Sequence, residues 1–168
     1  MTPLSTLTGD ERLFFDTVLA FANERVAPKV AAMDTAAELD LDILRGLFEL
    51  GVMGIEIPES YGGAGASFFH AVLAVEALSR VDPSIGVLVD VQNTLVINAI
   101  LRWGTDDQKR AHLPKLAGGS IGAYALSEAG SGSDAFAMAA RAASRDGDWV
   151  LTGRKLWITN GNNRKSVV

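Results

Sequence analysis

Residues 124–134 read YALSEAGSGSD, which combines glycines with three serines in the manner of an anion-binding turn. A short apolar strand is predicted to lead into it. Its glycines permit tight turns in which successive backbone N–H groups face an anion. Ser127, Ser131 and Ser133 add hydroxyls that suit a phosphate or a heterocycle with several acceptors. Composition alone favours a second interpretation, a flexible glycine- and serine-rich linker between two domains.

A second segment with chemical potential reads WITNG, at residues 157–161. Trp157 could lie against a flat cofactor while the Thr159 hydroxyl donates a hydrogen bond to it. Taken alone, this pattern is more typical of a core tryptophan followed by an Asn-Gly turn. Neither segment is decisive by itself.

Composition excludes several other chemistries. The 168 residues carry a net charge of −5, which argues against a nucleic-acid partner, since such proteins need a basic face. With no Cys and two His, neither a thiol nucleophile nor a metal site is expected. The most apolar stretch, residues 84–103, is interrupted by polar side chains, and no signal or transit peptide is recognisable. We therefore expect a soluble, cytoplasmic chain without membrane contact.

The chain changes character near residue 117. Every proline precedes residue 115, whereas glycine is concentrated after it. The sequence predicts an α+β fold, with an all-α helical domain at 1–117 followed by the first strands of a β-barrel-like domain at 118–168, which is expected to be truncated.

Capping and periodicity place the helices. Thr8 and Glu11 form a capping box before the first helix. Further helices are predicted at 40–50, at 67–80, from Pro83 to Trp103, and after Thr105. The helix at 67–80 is expected to bury Phe68, Val72, Val75 and Leu78.

Strands are predicted at 121–126, 135–145, 149–152 and 155–159. Asp146-Gly147 is a strong type I′ hairpin signal between the second and third of them. These strands are too few to close a core, so either something covers them or the chain is incomplete.

Several motifs in order resemble the acyl-CoA dehydrogenase family, with residues 46–66 and 90–140 most similar to its short/branched-chain members. The resemblance extends over residues 10–161. It rests on GLFELGVMG at 46–54, YGG at 61–63, QNT at 92–94, GT at 104–105, QK at 108–109, SEAGSGSD at 127–134 and WITNG at 157–161.

This resemblance implies an N-terminal helical domain, a middle β domain and a C-terminal helical bundle, usually in a homotetramer. It implies FAD-dependent α,β-dehydrogenation of an acyl-CoA, in fatty acid and branched-chain amino acid catabolism, with an electron-transfer flavoprotein as acceptor. The residues that match flavin-contacting positions are Tyr124, Ala125, Leu126, Ser127, Gly132, Ser133, Trp157, Ile158 and Thr159.

Ser133 also matches a serine that contacts the acyl-CoA. By looser analogy the acyl chain would lie against Val87, Leu88, Val91 and Leu95, for which ordinary core packing is an equal explanation.

The resemblance puts the catalytic glutamate in the C-terminal domain, beyond residue 168. We therefore expect no catalytic residue here and an inactive chain when these residues stand alone. Glu128 is rejected as the base because its motif assigns it to the flavin-binding turn. The alternative hypothesis is a non-catalytic helical protein that keeps the fold and subunit association only.

Overall fold

The computed structural model describes residues 6–161 and the backbone of residues 166–167. A helical domain is followed by a few short strands, which confirms the α+β class. The predicted boundary at residue 117 lies in the last turn of the final helix and stays a prediction. Residues 1–5, 162–165 and 168 of the two predicted domains lie outside the described residues.

The chain begins with a long helical arm. Helix α1 (Gly9–Phe21) continues through a π-helical turn and a 3₁₀ turn into α2 (Val30–Ala36). The capping box is confirmed, because the Thr8 N–H donates to the Glu11 carboxylate over 2.8 Å and the Thr8 hydroxyl accepts the Glu11 N–H. Ala37, at φ 52°, ends the arm in the left-handed region.

Helix α3 (Leu41–Glu49) lies within the predicted range 40–50. The Asp40 carboxylate accepts the N–H groups of Asp42 and Ile43, and Gly51 follows the helix at φ 80°. Asp40 also pairs with Lys29 at 2.8 Å, and this hydrogen bond holds the pKa of the Asp40 carboxyl below its ordinary value. The pair ties the helical arm to the start of α3.

Helix α4 (Phe68–Ser79) has the predicted bounds but a different buried face. Phe68 and Val72 are 52% and 43% exposed, so the expectation that they are buried is wrong. The core side carries small residues because α5 approaches closely, with Gly86 of α5 against Ser79. The fully buried positions of α4 are Ala71, Ala74, Ala77 and Leu78.

One continuous helix of 21 residues, Pro83–Trp103, runs through the centre of the molecule. It comprises α5 (Pro83–Asp90), a π-helical segment (Val91–Ile97) and α6 (Asn98–Trp103). By length and composition it is the one helix of the described residues that could cross a membrane, although half of its most apolar window is buried in the protein. This is weak evidence for a span, since core helices pass the same test.

Two adjacent amides in the π-helical segment join the central helix to the rest of the chain. The Asn93 side chain accepts the Ile55 N–H at 3.0 Å and donates to the Val52 carbonyl at 2.8 Å. The Gln92 side chain accepts the Gly122 N–H at 2.6 Å and donates to the Leu116 carbonyl at 3.3 Å. Both amides are 0% exposed. Asn93 satisfies backbone groups of the connection at residues 52–55, whereas Gln92 satisfies those of residues 116 and 122.

Helix α7 (Asp106–Gly118) leads into strand β1 (Ile121–Gly122), which pairs in parallel with β4 (Ser166–Val167). Gly122 lies directly on the Val96 side chain, so a Cβ at this position would collide with it. The predicted strand at 121–126 is therefore only two residues long.

The predicted hairpin is confirmed, with β2 (Arg141–Arg145) antiparallel to β3 (Asp148–Thr152) around Asp146-Gly147. Both turn residues have positive φ, as a type I′ turn requires. Residues 135–137 form a 3₁₀ turn instead of a strand. The prediction of a strand at 155–159 is wrong: no strand forms there, and Trp157 adopts φ 58°, outside the β region.

We expect N93L to lower the free energy of unfolding by about 2–5 kcal/mol, because it orphans the buried Ile55 N–H and Val52 carbonyl. Chemical denaturation followed by circular dichroism measures the loss. N23L is the matched control, since the exposed Asn23 amide donates only to the Leu19 carbonyl one turn earlier. A change for N93L no larger than for N23L contradicts the linking role of Asn93.

Candidate functional site

The serine-rich segment forms a tight, largely exposed turn after β1. Glu128 and Ser131 exchange backbone hydrogen bonds of 2.9 and 3.1 Å across it. The Ser131 hydroxyl turns inward and donates to the Asp134 carbonyl at 2.9 Å. Glycines 130 and 132 are exposed, with nothing within 4 Å of the position of a Cβ. The turn is thus anchored from within and open on its outer side.

Glu128 and Lys155 form an ion pair beneath this turn, at 2.8 Å. The Glu128 side chain is 8% exposed and also accepts the backbone N–H groups of Ala139 and Ala140. The hydrogen bond from Lys155 is the largest cause that lowers the pKa of the Glu128 carboxyl below its ordinary value of 4.5. A carboxylate that accepts hydrogen bonds from an ammonium and two backbone N–H groups, and whose pKa is lowered, is a poor general base. This agrees with the rejection of Glu128 as the catalytic residue.

The two segments that the sequence singles out lie side by side. The Leu156 N–H donates to the Ser127 carbonyl at 2.8 Å, and the Lys155 ammonium donates to the Leu126 carbonyl at 3.0 Å. The Asn160 amide donates to the Gly122 carbonyl at 3.0 Å, which holds the far end of the second segment against β1. The predicted flavin-contacting residues on either side of this junction therefore share one region of the surface.

The hydroxyls within this region divide into two groups. Ser131 is bonded within the chain, whereas Ser127, Ser133 and Thr159 donate no side-chain hydrogen bond to any described residue. The three unused hydroxyls belong to residues predicted to contact flavin or substrate. They remain available to a ligand that offers several acceptors.

Trp157 has an unusual conformation. Its φ of 58° lies in the left-handed region, which is uncommon for a bulky side chain, and its indole is 93% exposed. Strained backbone of this kind often accompanies a ligand-binding role, because selection for stability alone would not keep it. The exposed ring offers a flat apolar surface for stacking.

The remaining residues predicted to contact flavin are partly or largely exposed. Tyr124 is 40% exposed, and Ala125, Leu126 and Ile158 are half-buried. The assignment of these residues to a flavin site stays a prediction, as does the assignment of Gly132 and Ser133.

The predicted acyl-chain residues differ in exposure. Val87 and Leu95 are 48% and 39% exposed, whereas Leu88 and Val91 are buried. Leu88 lines a cavity of about 740 Å³ that Thr159 also lines, so one predicted acyl contact and one predicted flavin contact meet there. The acyl role of all four residues stays a prediction.

Two features of the site escape sequence reasoning. Lys155 is not singled out, because its partners Leu126 and Glu128 lie far away in sequence. A second cavity of about 350 Å³ opens at Tyr124, with Trp103, Gln108 and His112 around it. No motif marks this cavity, since its walls come from α6, α7 and the start of the serine-rich segment.

The donor set and the shape of the surface fit a flavin. Unused hydroxyls, exposed glycine backbone and an exposed indole suit a flat ring edged with hydrogen-bond acceptors. The described residues contain no group of three or more acidic or histidine side chains that could hold a metal ion.

Comparison with known proteins agrees with this chemistry. The family model described as "Acyl-CoA dehydrogenase, N-terminal domain" matches residues 8–120. A probable short/branched chain specific acyl-CoA dehydrogenase of Dictyostelium discoideum is 50% identical over 159 residues, which is 94% of this chain and 38% of that protein. The mitochondrial short/branched chain specific acyl-CoA dehydrogenase of Bos taurus is 43% identical, over 95% of this chain and 37% of its own length.

Among solved structures, a glutaryl-CoA dehydrogenase of Mycobacterium smegmatis in complex with FADH2 superimposes with a TM-score of 0.87 at 37% identity. The match covers 93% of this chain and 40% of that one. The chain thus spans about two fifths of the length of the relatives it matches.

We expect the Glu128–Lys155 pair to make stability depend on pH in acid. Because the folded-state pKa of Glu128 lies below 4.5, the pair contributes fully above that value, and its contribution is lost as pH falls through the lowered pKa. Denaturation between neutral pH and pH about 3 should show a smaller acid-dependent loss for E128Q than for the wild type. Equal pH dependence of the two chains contradicts this coupling.

Proposed function

Because the chain belongs to the acyl-CoA dehydrogenase family, we propose that it takes part in the flavin-dependent α,β-dehydrogenation of acyl-CoA thioesters. Its own contribution would be to bind FAD and to shape part of the acyl-CoA site. The activity of the whole enzyme is itself a proposal, because the chain spans about two fifths of the length of the relatives it matches.

One observation carries the proposal. The segments around Ser127 and Trp157 lie far apart in sequence, yet a 2.8 Å bond between Leu156 and Ser127 brings them together. The unused hydroxyls of Ser127, Ser133 and Thr159 belong to those segments. The proximity of the two segments, together with the unused hydroxyls and the exposed indole, supports a ligand-binding role for this surface.

The roles of the residues follow from their chemistry. FAD, when bound, supplies the group that accepts two electrons from the acyl chain. The Ser127 and Thr159 hydroxyls would donate to acceptors at the ring edge, while Trp157 covers one face and excludes water from it. Ser133 would contact the acyl-CoA. Val87, Leu88, Val91 and Leu95 would offer apolar contacts to the acyl chain.

Several finer points belong to the same proposal. We propose a short or branched acyl chain as substrate, which the 50% identical relative supports by its name. Catabolism of fatty acids and branched-chain amino acids follows from that substrate class. An electron-transfer flavoprotein as acceptor and a homo-oligomer as assembly follow from the family resemblance, and the cytoplasmic location stays a prediction.

We expect the chain to bind FAD with poor affinity, because the resemblance assigns much of the FAD environment to a C-terminal domain. FAD retained after loading and desalting is seen as the visible absorption band of bound flavin. S127A and W157A should each weaken retention several-fold, because they remove a ring-edge donor and the stacking surface. The controls are S144A and W149A, which lie opposite each other on the exposed hairpin, where the Trp149 ring is 69% exposed. Equal losses in the controls contradict the assignment of these residues to the flavin.

If the wild type retains no flavin although its far-ultraviolet spectrum is that of a folded helical protein, these residues do not form a flavin site on their own. That result favours the alternative in which the chain keeps only the fold and subunit association.

We expect a short 2-methyl-branched acyl-CoA to perturb the spectrum of bound flavin at lower concentration than a long straight-chain acyl-CoA does. The names of the short/branched chain specific relatives support this preference, and Leu88, which lines a cavity of about 740 Å³, is the residue proposed to contact the acyl chain there. L88A should weaken this preference, and V26A, which changes a core valine outside that cavity, serves as the matched control. The same preference in L88A and in the wild type removes Leu88 from the acyl site.

A further inference from the structure

Few hydrogen bonds join the two proposed flavin segments at their junction. No strand ladder joins residues 124–128 to residues 153–157 in the part of the chain that the structure describes. One backbone hydrogen bond links them directly, from the Leu156 N–H to the Ser127 carbonyl. The side chain immediately before Leu156 supplies every other direct hydrogen bond across the junction, and that side chain is Lys155.

Lys155 makes three contacts in different directions. Its ammonium donates to the Leu126 carbonyl at 3.0 Å, to the Glu128 carboxylate at 2.8 Å and to the Met138 sulfur at 3.3 Å. The first two acceptors are the backbone carbonyl and the side-chain carboxylate of the residues on either side of Ser127, so the ammonium contacts both neighbours of that residue. The third lies in the stretch that leads from the turn to β2.

Glu128 extends the same arrangement. Its carboxylate accepts the N–H groups of Ala139 and Ala140 at 2.7 and 3.1 Å, in addition to the Lys155 bond. Lys155 is the one charged group in contact with this carboxylate among the described residues. One ion pair therefore connects the serine-rich turn, the stretch before β2 and the segment that carries Trp157.

We propose that Lys155 is a positioning residue for the flavin, which sets the spacing between Ser127 and Trp157 without touching the ring. This inference rests on the proposed function, because it assigns a role within the same flavin site. The spacing matters because hydroxyl donors and a stacking ring serve one flat ligand only when held in fixed relation to each other.

A role in stability alone predicts something different. If Lys155 only stabilises the fold, its loss should lower the melting temperature and the flavin affinity together. A positioning role predicts that flavin binding falls at a temperature where the helical domain stays fully folded, since α1 to α7 make none of these contacts.

The test compares K155M, K155R and the control R110M in the full chain. Methionine keeps the apolar stem but loses the ammonium, and arginine keeps the charge and the donors. Arg110 forms an ion pair of 2.6 Å with Asp107 inside α7, so R110M makes the same chemical change away from the junction. FAD affinity is measured by titration and the helical fold by far-ultraviolet circular dichroism.

We expect K155M to bind FAD several-fold more weakly than the wild type with an unchanged helical spectrum. K155R should recover part of the loss, and R110M should bind as the wild type does. Hydrogen exchange in peptides that cover residues 126–131 and 155–157 should become faster in K155M only.

Two results overturn the proposal. One is wild-type FAD affinity in K155M, and the other is an equal weakening in R110M. If the wild type binds no FAD, the proposed function fails first, and the exchange experiment still decides about the junction. Unchanged exchange in K155M then overturns the role of Lys155 independently of flavin.

Discussion

The amide pair Gln92–Asn93 is the constraint on which the rest of the architecture depends. Adjacent residues on a regular helix point about 100° apart, and here both directions lead into the protein interior. Asn93 bonds the connection at residues 52–55, while Gln92 bonds the end of α7 and the start of β1. A buried amide left unpaired destabilises the fold, so these partners define where the surrounding segments must lie. The π-helical geometry of the same stretch accompanies this arrangement.

A chain of contacts that starts at Gln92 determines where the candidate site lies. Gln92 holds the Gly122 N–H, and the close contact between Gly122 and Val96 leaves room for no side chain there. The Gly122 carbonyl in turn accepts the Asn160 amide. The helical domain thus acts as a rigid base, and the two proposed flavin segments leave it from neighbouring points. Their outward surface carries the indole of Trp157, while apolar residues such as Phe136 and Trp149 are exposed in the chain between the two segments.

Local signals in the sequence were sufficient for much of this structure. The capping box at Thr8 and the Asp146-Gly147 turn each act over a few residues, and both are present. Contacts between residues that lie far apart in sequence could not be predicted from such local signals. Helix α4 is apolar on nearly every side, so periodicity could not choose its buried face, which the close approach of α5 decides.

The same distinction applies to the candidate site. The glycines, serines and Trp157 could be singled out by type, whereas Lys155 carries no signal in its own neighbourhood. Its partners lie 27 and 29 residues earlier in the chain, and only the folded backbone brings them within reach. The left-handed conformation of Trp157 could not be predicted from the sequence either, because bulky residues rarely adopt that region of backbone dihedral angles.

The parallel pairing of β1 with β4 has a consequence for the order of folding. It joins residues 121–122 to residues 166–167, so the chain between them forms one closed loop that contains both proposed flavin segments. Closing a loop of this length has an entropic cost that local helices avoid. The helices should therefore form first and the loop last. A ligand that binds only the closed loop would raise its population by mass action, which would make cofactor supply part of the maturation of this region.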